Sequence, residues 1–214
     1  MAIISSNNLG RIRKKSGPNV FRKWRNLDVM GVYTSSVRNP RTTAQQLQRT
    51  KFRAMSSLSA DFAVATRIGF KGVTNGTKVP PRDYFIKVNF DQVSASTPGT
   101  ATIDYTELVI AAGSLPGVNF GTPAFTNPLE VTVPINSSAS GYPATEDDLV
   151  YAYVYSPEAS EGILASPKVR SDAEVTIDVP DYWVGQHVHV YGFVISPDGS
   201  LTSASRYLGT GTIS

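Results

Sequence analysis

Between residues 84 and 211 the chain returns again and again to one pattern: a short run rich in Val, Ile, Thr and aromatic residues, closed by Gly, Pro, Asp or Ser. Seven such runs stand out, YFIKVNF at 84–90, TATIDYTELVI at 100–110, LEVTVPI at 129–135, LVYAYVYS at 149–156, AEVTIDVP at 173–180, HVHVYGFVIS at 187–196 and ASRYLGTG at 204–211. Period-two alternation of this kind puts successive side chains on opposite faces of a strand. In the fourth run Tyr151, Tyr153 and Tyr155 face one way and Val150, Ala152 and Val154 the other. Turn-rich spacers between many short strands predict a mainly β fold, an antiparallel β-sandwich of immunoglobulin-like, fibronectin-like or jelly-roll topology.

The segment before this pattern reads differently. Val20–Arg25 and Val29–Thr34 predict a hairpin around an Asn26-Leu27-Asp28 turn. Phe21, Lys23 and Arg25 would share one face of its first strand, with Val20, Arg22 and Trp24 on the other. Asn39-Pro40 then breaks the chain, Thr42 or Thr43 can cap, and one amphipathic helix follows. Ala44, Leu47, Met55, Leu58, Phe62 and Ala65 form its apolar stripe, with Arg49, Arg53 and Arg67 opposite and Lys51 snorkelling from within the stripe. TNGTKVPP at 74–81 is a turn-rich connector, which predicts a boundary near residue 82.

Charge follows the same division. Residues 1–82 hold 16 of the 20 Lys and Arg against Asp28 and Asp61 alone, a net +14, whereas residues 83–214 hold four cations against 15 carboxylates, a net −11. A solvated surface normally intersperses the two signs, so segregation on this scale makes a field that draws an opposite partner. Two partners suit it: a polyanion, bound through release of condensed counterions, or the acidic half of another copy. The candidate contact residues are Arg11, Arg13, Lys14, Lys15, Arg22, Lys23, Trp24 and Arg25, where cations gather around a stacking aromatic, with Arg49 and Arg53 on the helix.

Chemistry finds little footing. With no cysteine there is no disulfide, thiolate nucleophile or cysteine-bound metal. His187 and His189 share a strand face, as two zinc ligands would, but no further ligands stand at a recognisable spacing, so they are read as half-exposed strand residues. Glu146-Asp147-Asp148 is read as a solvated loop, because calcium ligands occupy alternate positions. No nucleophile elbow, P-loop or dinucleotide fingerprint occurs. The expectation is a protein that is not an enzyme, with no cofactor, no metal and no small-molecule substrate. No export signal and no apolar run long enough to cross a bilayer is visible, so no membrane is expected and the location is a virion or the bacterial cytoplasm.

The opening MAIIS with NLGRI, NPRTTAQQLQRTKF at 39–52, RIGFK at 67–71 and VPDYWVGQHVHVYGFVISPDGSLTSASRYLG at 179–209 together resemble an uncharacterised family of proteins of about this length from Bacteroidetes bacteria, their phages and mobile elements. The resemblance spans most of the chain and implies a two-part protein without a known activity.

Three functions are open on this reading. The first is a virion or similar assembly component, a homo-oligomer whose basic part meets nucleic acid or an acidic neighbouring subunit. The second is a host nucleic-acid-binding protein using residues 1–82. The third is a carbohydrate-binding or adhesive module using Tyr151, Tyr153, Tyr155, Trp183 and Tyr191, the same residues that a core or a subunit contact would use.

Overall fold

The computed structural model describes residues 2–4, 14–24, 27–36, 39, 41–138 and 143–214. It is mainly β, 39% strand against 24% helix, and it forms two compact units, Met1–Thr42 and Thr43–Ser214.

The first unit is an antiparallel sheet in the order β1-β4-β3-β2, made of β1 (Ala2–Ile4), β2 (Lys14–Ser16), β3 (Asn19–Trp24) and β4 (Leu27–Val32). The expected hairpin is β3–β4, but Leu27 and Asp28 belong to the ladder rather than the turn, paired with Trp24 and Lys23. β2 joins β3 through Gly17-Pro18, where Gly17 at φ 58° takes the left-handed conformation that a tight hairpin turn requires.

In the second unit the single expected helix is four. They are α1 (Thr43–Asp61), α2 (Ala63–Gly69), α3 (Lys71–Thr74) and α4 (Pro81–Asn89). The last replaces the strand expected at 84–90. Pro81 supplies the fixed φ of a first helical position and Asp83 puts a carboxylate in the first turn, and together they outweigh the β-prone FIKVNF that follows. Asn89 then ties the helix end to the segment around Val109, donating to the Phe85 and Val109 carbonyls at 3.0 and 2.8 Å and accepting from the Val109 amide at 2.7 Å. Of the run expected as a strand at 100–110, only Thr100–Ile103 is one, and Asn89 ties down the part beyond it.

The remaining strands are β5 (Val93–Thr97), β6 (Thr100–Ile103), β7 (Val118–Phe120), β8 (Glu130–Ser138), β9 (Leu149–Ser156), β10 (Glu161–Leu164), β11 (Lys168–Val169), β12 (Glu174–Asp178), β13 (His187–Ile195) and β14 (Arg206–Thr212). Strands β10-β9-β13-β14, with β11 also on β9, make a five-stranded antiparallel sheet. β12-β8-β7 make a three-stranded sheet, and β5-β6 a hairpin.

The five-stranded sheet is covered on both faces, which explains why β9 and β13 are apolar at nearly every position. Val150, Ala152 and Val154 pack with Val188, Val190 and Val194, with Val131 and Val133 of β8, with Val175 and Ile177 of β12, and with Trp183. Gly192 of β13 lies so close to the Phe120 ring that a Cβ there would meet it at 2.6 Å. On the opposite face Tyr153, Tyr155, Tyr191, Phe193 and Ile195 pack against Met55, Leu58, Phe62, Ala65, Phe70 and Phe85 of the helices. The helical stripe thus reads correctly from Met55 to Ala65, while Ala44 is exposed and Leu47 and Lys51 are half-buried. The helices that charge assigns to the basic part, residues 43–82, share a core with the sheet. The compact units accordingly divide at Thr42/Thr43, and position 82 falls inside the second of them.

Candidate polyanion and subunit interface

In the first unit Lys14, Lys15, Arg22, Lys23 and Trp24 are all exposed, Trp24 by 53%. Strand alternation and pairing put Arg22 and Trp24 beside Val29 and Leu27 on one face, and Lys23 beside Asp28 on the other. Lys15 Nζ lies 3.6 Å from the centre of the Tyr33 ring, a cation–π contact. Arg11, Arg13 and Arg25 lie outside the described residues. Arg49 and Arg53 are exposed on α1 with the exposed Phe52 between them, and so belong to the other compact unit. The ten candidates are therefore not one patch within one unit.

Sequence reasoning did not foresee a cleft of about 730 Å³ in the second unit, where α2 and α3 meet one end of the five-stranded sheet. Val64, Ile68, Tyr151 and Ile195 give it an apolar lining, and Arg67 and Lys71 give it cations. The turn Ser196–Gly199 closes the end. Asp198 in that turn is committed to it, accepting from Ser196 Oγ at 2.6 Å and from the amide and hydroxyl of Ser200 at 3.0 and 2.8 Å. Those bonds lower its pKa to about 2. Only the fold brings these residues together, because they come from three segments of the chain, around residues 63–71, 149–151 and 195–199.

The aromatic face is a core with polar ties. Phe62 lies 5.0 Å from the Tyr153 ring and 4.6 Å from the Tyr155 ring. Tyr153 donates to the Asp61 carbonyl at 2.8 Å, Tyr155 to the Asp61 carboxylate at 3.1 Å and Tyr191 to the Tyr105 carbonyl at 2.7 Å. Burial raises the pKa of all three hydroxyls, and it raises that of Asp61, with the Tyr155 bond opposing. Trp183 is fully buried too. Of the aromatics named for sugar stacking, Tyr153, Tyr155, Tyr191 and Trp183 thus present no open ring face, and Tyr151 is half-exposed.

His187 is exposed with Nδ1 3.1 Å from Thr212 Oγ1, whereas His189 stacks on Tyr105 at 4.6 Å and lies 3.0 Å from the Tyr207 hydroxyl. Desolvation, and secondarily the charge of His187, lowers the pKa of His189. Below the ordinary value of 6.5 the unfolded chain accordingly takes up a proton that the folded state resists, so stability falls as pH drops through that value. His189→Gln is expected to flatten the decline in Tm between about pH 8 and pH 5; an unchanged slope in that variant would count against this role.

The carboxylate run needs a correction. Glu146 and Asp147 are exposed, but Asp148 is fully buried and paired with Arg170 at 2.8 Å. Among the described residues no group of three or more His, Asp or Glu is placed to hold a metal ion, and no helix is long and apolar enough to cross a membrane.

These features define a mainly β protein in two units, with a basic N-terminal sheet and a larger unit whose helices cover one face of an antiparallel sheet. The chain belongs to a family of unknown function, DUF6266, whose sequence pattern matches residues 11–209. No curated protein matches it.

Proposed function

We propose that the protein is a non-catalytic assembly component, of the kind that builds a virion or a similar particle, whose basic N-terminal unit meets nucleic acid or an acidic neighbouring subunit. Its β8 and β9/β13 sheets serve as the two leaves of a small sandwich that supplies shape, and a bacterial or phage setting accords with it. One observation carries the reading. Residues 1–42 hold nine Lys and Arg against Asp28 alone, while residues 93–214 hold three against 13 carboxylates. Opposed fields of this size favour association and weaken with salt.

Light scattering of the purified chain at low and high salt, with and without nucleic acid, tests the reading. Growth in mass that salt reverses supports it, and a monomer under every condition overturns it. If the N-terminal unit is what grips nucleic acid, replacing Lys14, Lys15, Arg22 and Lys23 with Ser makes the fall of log K with log salt shallower, by about 0.9 for each duplex-DNA phosphate that is no longer neutralised. Tight binding to nucleic acid with no assembly would favour the host nucleic-acid-binding reading instead.

A further inference from the structure

We propose that the cleft beside α2 and α3 is a socket for a second copy of this chain, which enters it with the Tyr182–Val184 knob. The proposal rests on the assembly reading above and names the partner and the contact.

The knob is an unusual piece of surface. Residues Asp181–Trp183 form a short 3₁₀ turn before β13, in which Trp183 is fully buried while its neighbours Tyr182 and Val184 are 57% and 55% exposed. The buried indole acts as a peg that holds two apolar side chains out in water. The backbone is fixed as well: Trp183 N donates to the Pro180 carbonyl at 3.0 Å, Val184 N to the Asp181 carbonyl at 3.1 Å and Gly185 N to the Ile213 carbonyl at 2.9 Å. Gln186 bridges Ser156 Oγ at 2.6 Å and the Tyr182 carbonyl at 3.0 Å. Tyr182 itself is oriented by donating to Glu161 at 2.5 Å. Exposed apolar groups held this rigidly lose little entropy on docking. Glu161 and Asp181 rim the knob with negative charge.

The cleft is its complement. Val64, 57% exposed, stands with Ile68, Tyr151 and Ile195 in the apolar lining, and the exposed Arg67 and Lys71 oppose the signs of Glu161 and Asp181. Asp198 is the carboxylate of the lining, and its bonds to Ser196 and Ser200 occupy it. An apolar centre with a charged rim of opposite sign on each side is the anatomy of a specific interface.

Topology sets the direction. The knob precedes the first residue of β13, and the cleft takes in its last residue and the turn beyond. β13 is nine residues long, so the two surfaces lie roughly 26 Å apart at opposite ends of one strand. One copy cannot fill its own cleft across that span, and a pair related by a two-fold axis is not required by the geometry. The contact is head to tail, and repeating it gives a ring or a filament.

The test uses the full chain and its variants in sedimentation velocity over a range of concentrations. Wild type is expected to grow with concentration, and Val64→Asp (cleft) and Tyr182→Ala/Val184→Ser (knob) are each expected to stay monomeric, with apparent association weakened by about tenfold or more. All three sites are exposed, so unchanged thermal melts confirm that the variants fold. Mixing the cleft variant with the knob variant is the decisive arm: each retains the surface the other lacks, so a one-to-one dimer forms and nothing longer does. A mixture that stays monomeric overturns the head-to-tail contact. Variants that associate as wild type does, while Lys14/Lys15/Arg22/Lys23→Ser abolishes growth, overturn the socket and leave the assembly reading standing. A wild type that is monomeric throughout overturns both.

Discussion

A chain beginning at Thr43 is expected to melt in one cooperative transition, whereas a chain beginning at Asp83 is expected to lose cooperative melting, bind hydrophobic dye and aggregate. The charge division at residue 82 suggests the opposite, that the basic third is an appendage and the acidic remainder a domain. Packing decides between them. A cut at 82 removes Met55, Leu58, Phe62 and Phe70, each essentially fully buried against the tyrosine face of the five-stranded sheet. Burial of a large apolar side chain is worth about 1.5–3 kcal/mol, so the four together are on the order of the whole 5–15 kcal/mol margin of an ordinary domain. The same cut bares Tyr153, Tyr155 and Tyr191, and it removes the Asp61 carbonyl and carboxylate to which Tyr153 and Tyr155 donate. Calorimetry and dye binding on the two truncated chains check this, and a sharp, reversible transition for the chain starting at Asp83 would show that the helices are dispensable.

The difference between the charge division at residue 82 and the compact units' division at Thr42/Thr43 shows what a sequence can and cannot reveal here. The five longer runs from residue 129 onward become β8, β9, β12, β13 and β14, since alternating or continuous β-branched and aromatic residues can settle nowhere better than in a sheet. The strand expected at 84–90 fails because a local signal, Pro81 at the first helical position, outweighs a β-prone composition. β7, β10 and β11, of two to four residues, are too short for any period to register. Charge reports on fields and partners rather than on fold, so it places Arg49 and Arg53 with the basic part although their helix shares a core with the acidic sheet. The cleft at Arg67 and Lys71 and the knob at Tyr182 depend on long-range register, which a linear reading does not contain. Tyr182 carried one legible hint, in that Asp181-Tyr182-Trp183-Val184 puts three large apolar side chains in a row where one face can bury only some of them.

Breaking the Asp148–Arg170 pair is expected to cost about 3–5 kcal/mol, because a single substitution strands an uncompensated charge in the interior. Both side chains are 1% exposed. Asp148 accepts from the Thr145 amide at 3.0 Å, the Thr145 hydroxyl at 2.8 Å and Arg170 Nε at 2.8 Å, so its carboxylate is fully committed. Arg170 also donates to the carbonyls of Gly117, at 3.3 Å, and Pro116. The pair thereby joins three segments, the approach to β7, the approach to β9 and the exit from β11, and so couples the three-stranded sheet to the five-stranded one. For a chain of this length, Tm falls by about 2–4 °C per kcal/mol, so Asp148→Ala and Arg170→Ala should each lower Tm by roughly 6–20 °C. Arg170→Lys should rescue little, since a point-like ammonium cannot serve a carboxylate and two carbonyls in fork geometry. The double variant Asp148→Leu/Arg170→Met should be destabilised by less than the sum of the two single variants, because no charge is then stranded, although the Pro116 and Gly117 carbonyls are still left without their donor. Added salt should leave these differences nearly unchanged, in contrast to the salt-reversible association expected of the surface charges. Additive effects in the cycle, or a cost below about 1 kcal/mol for either single variant, would mean that the pair behaves as a surface ion pair does.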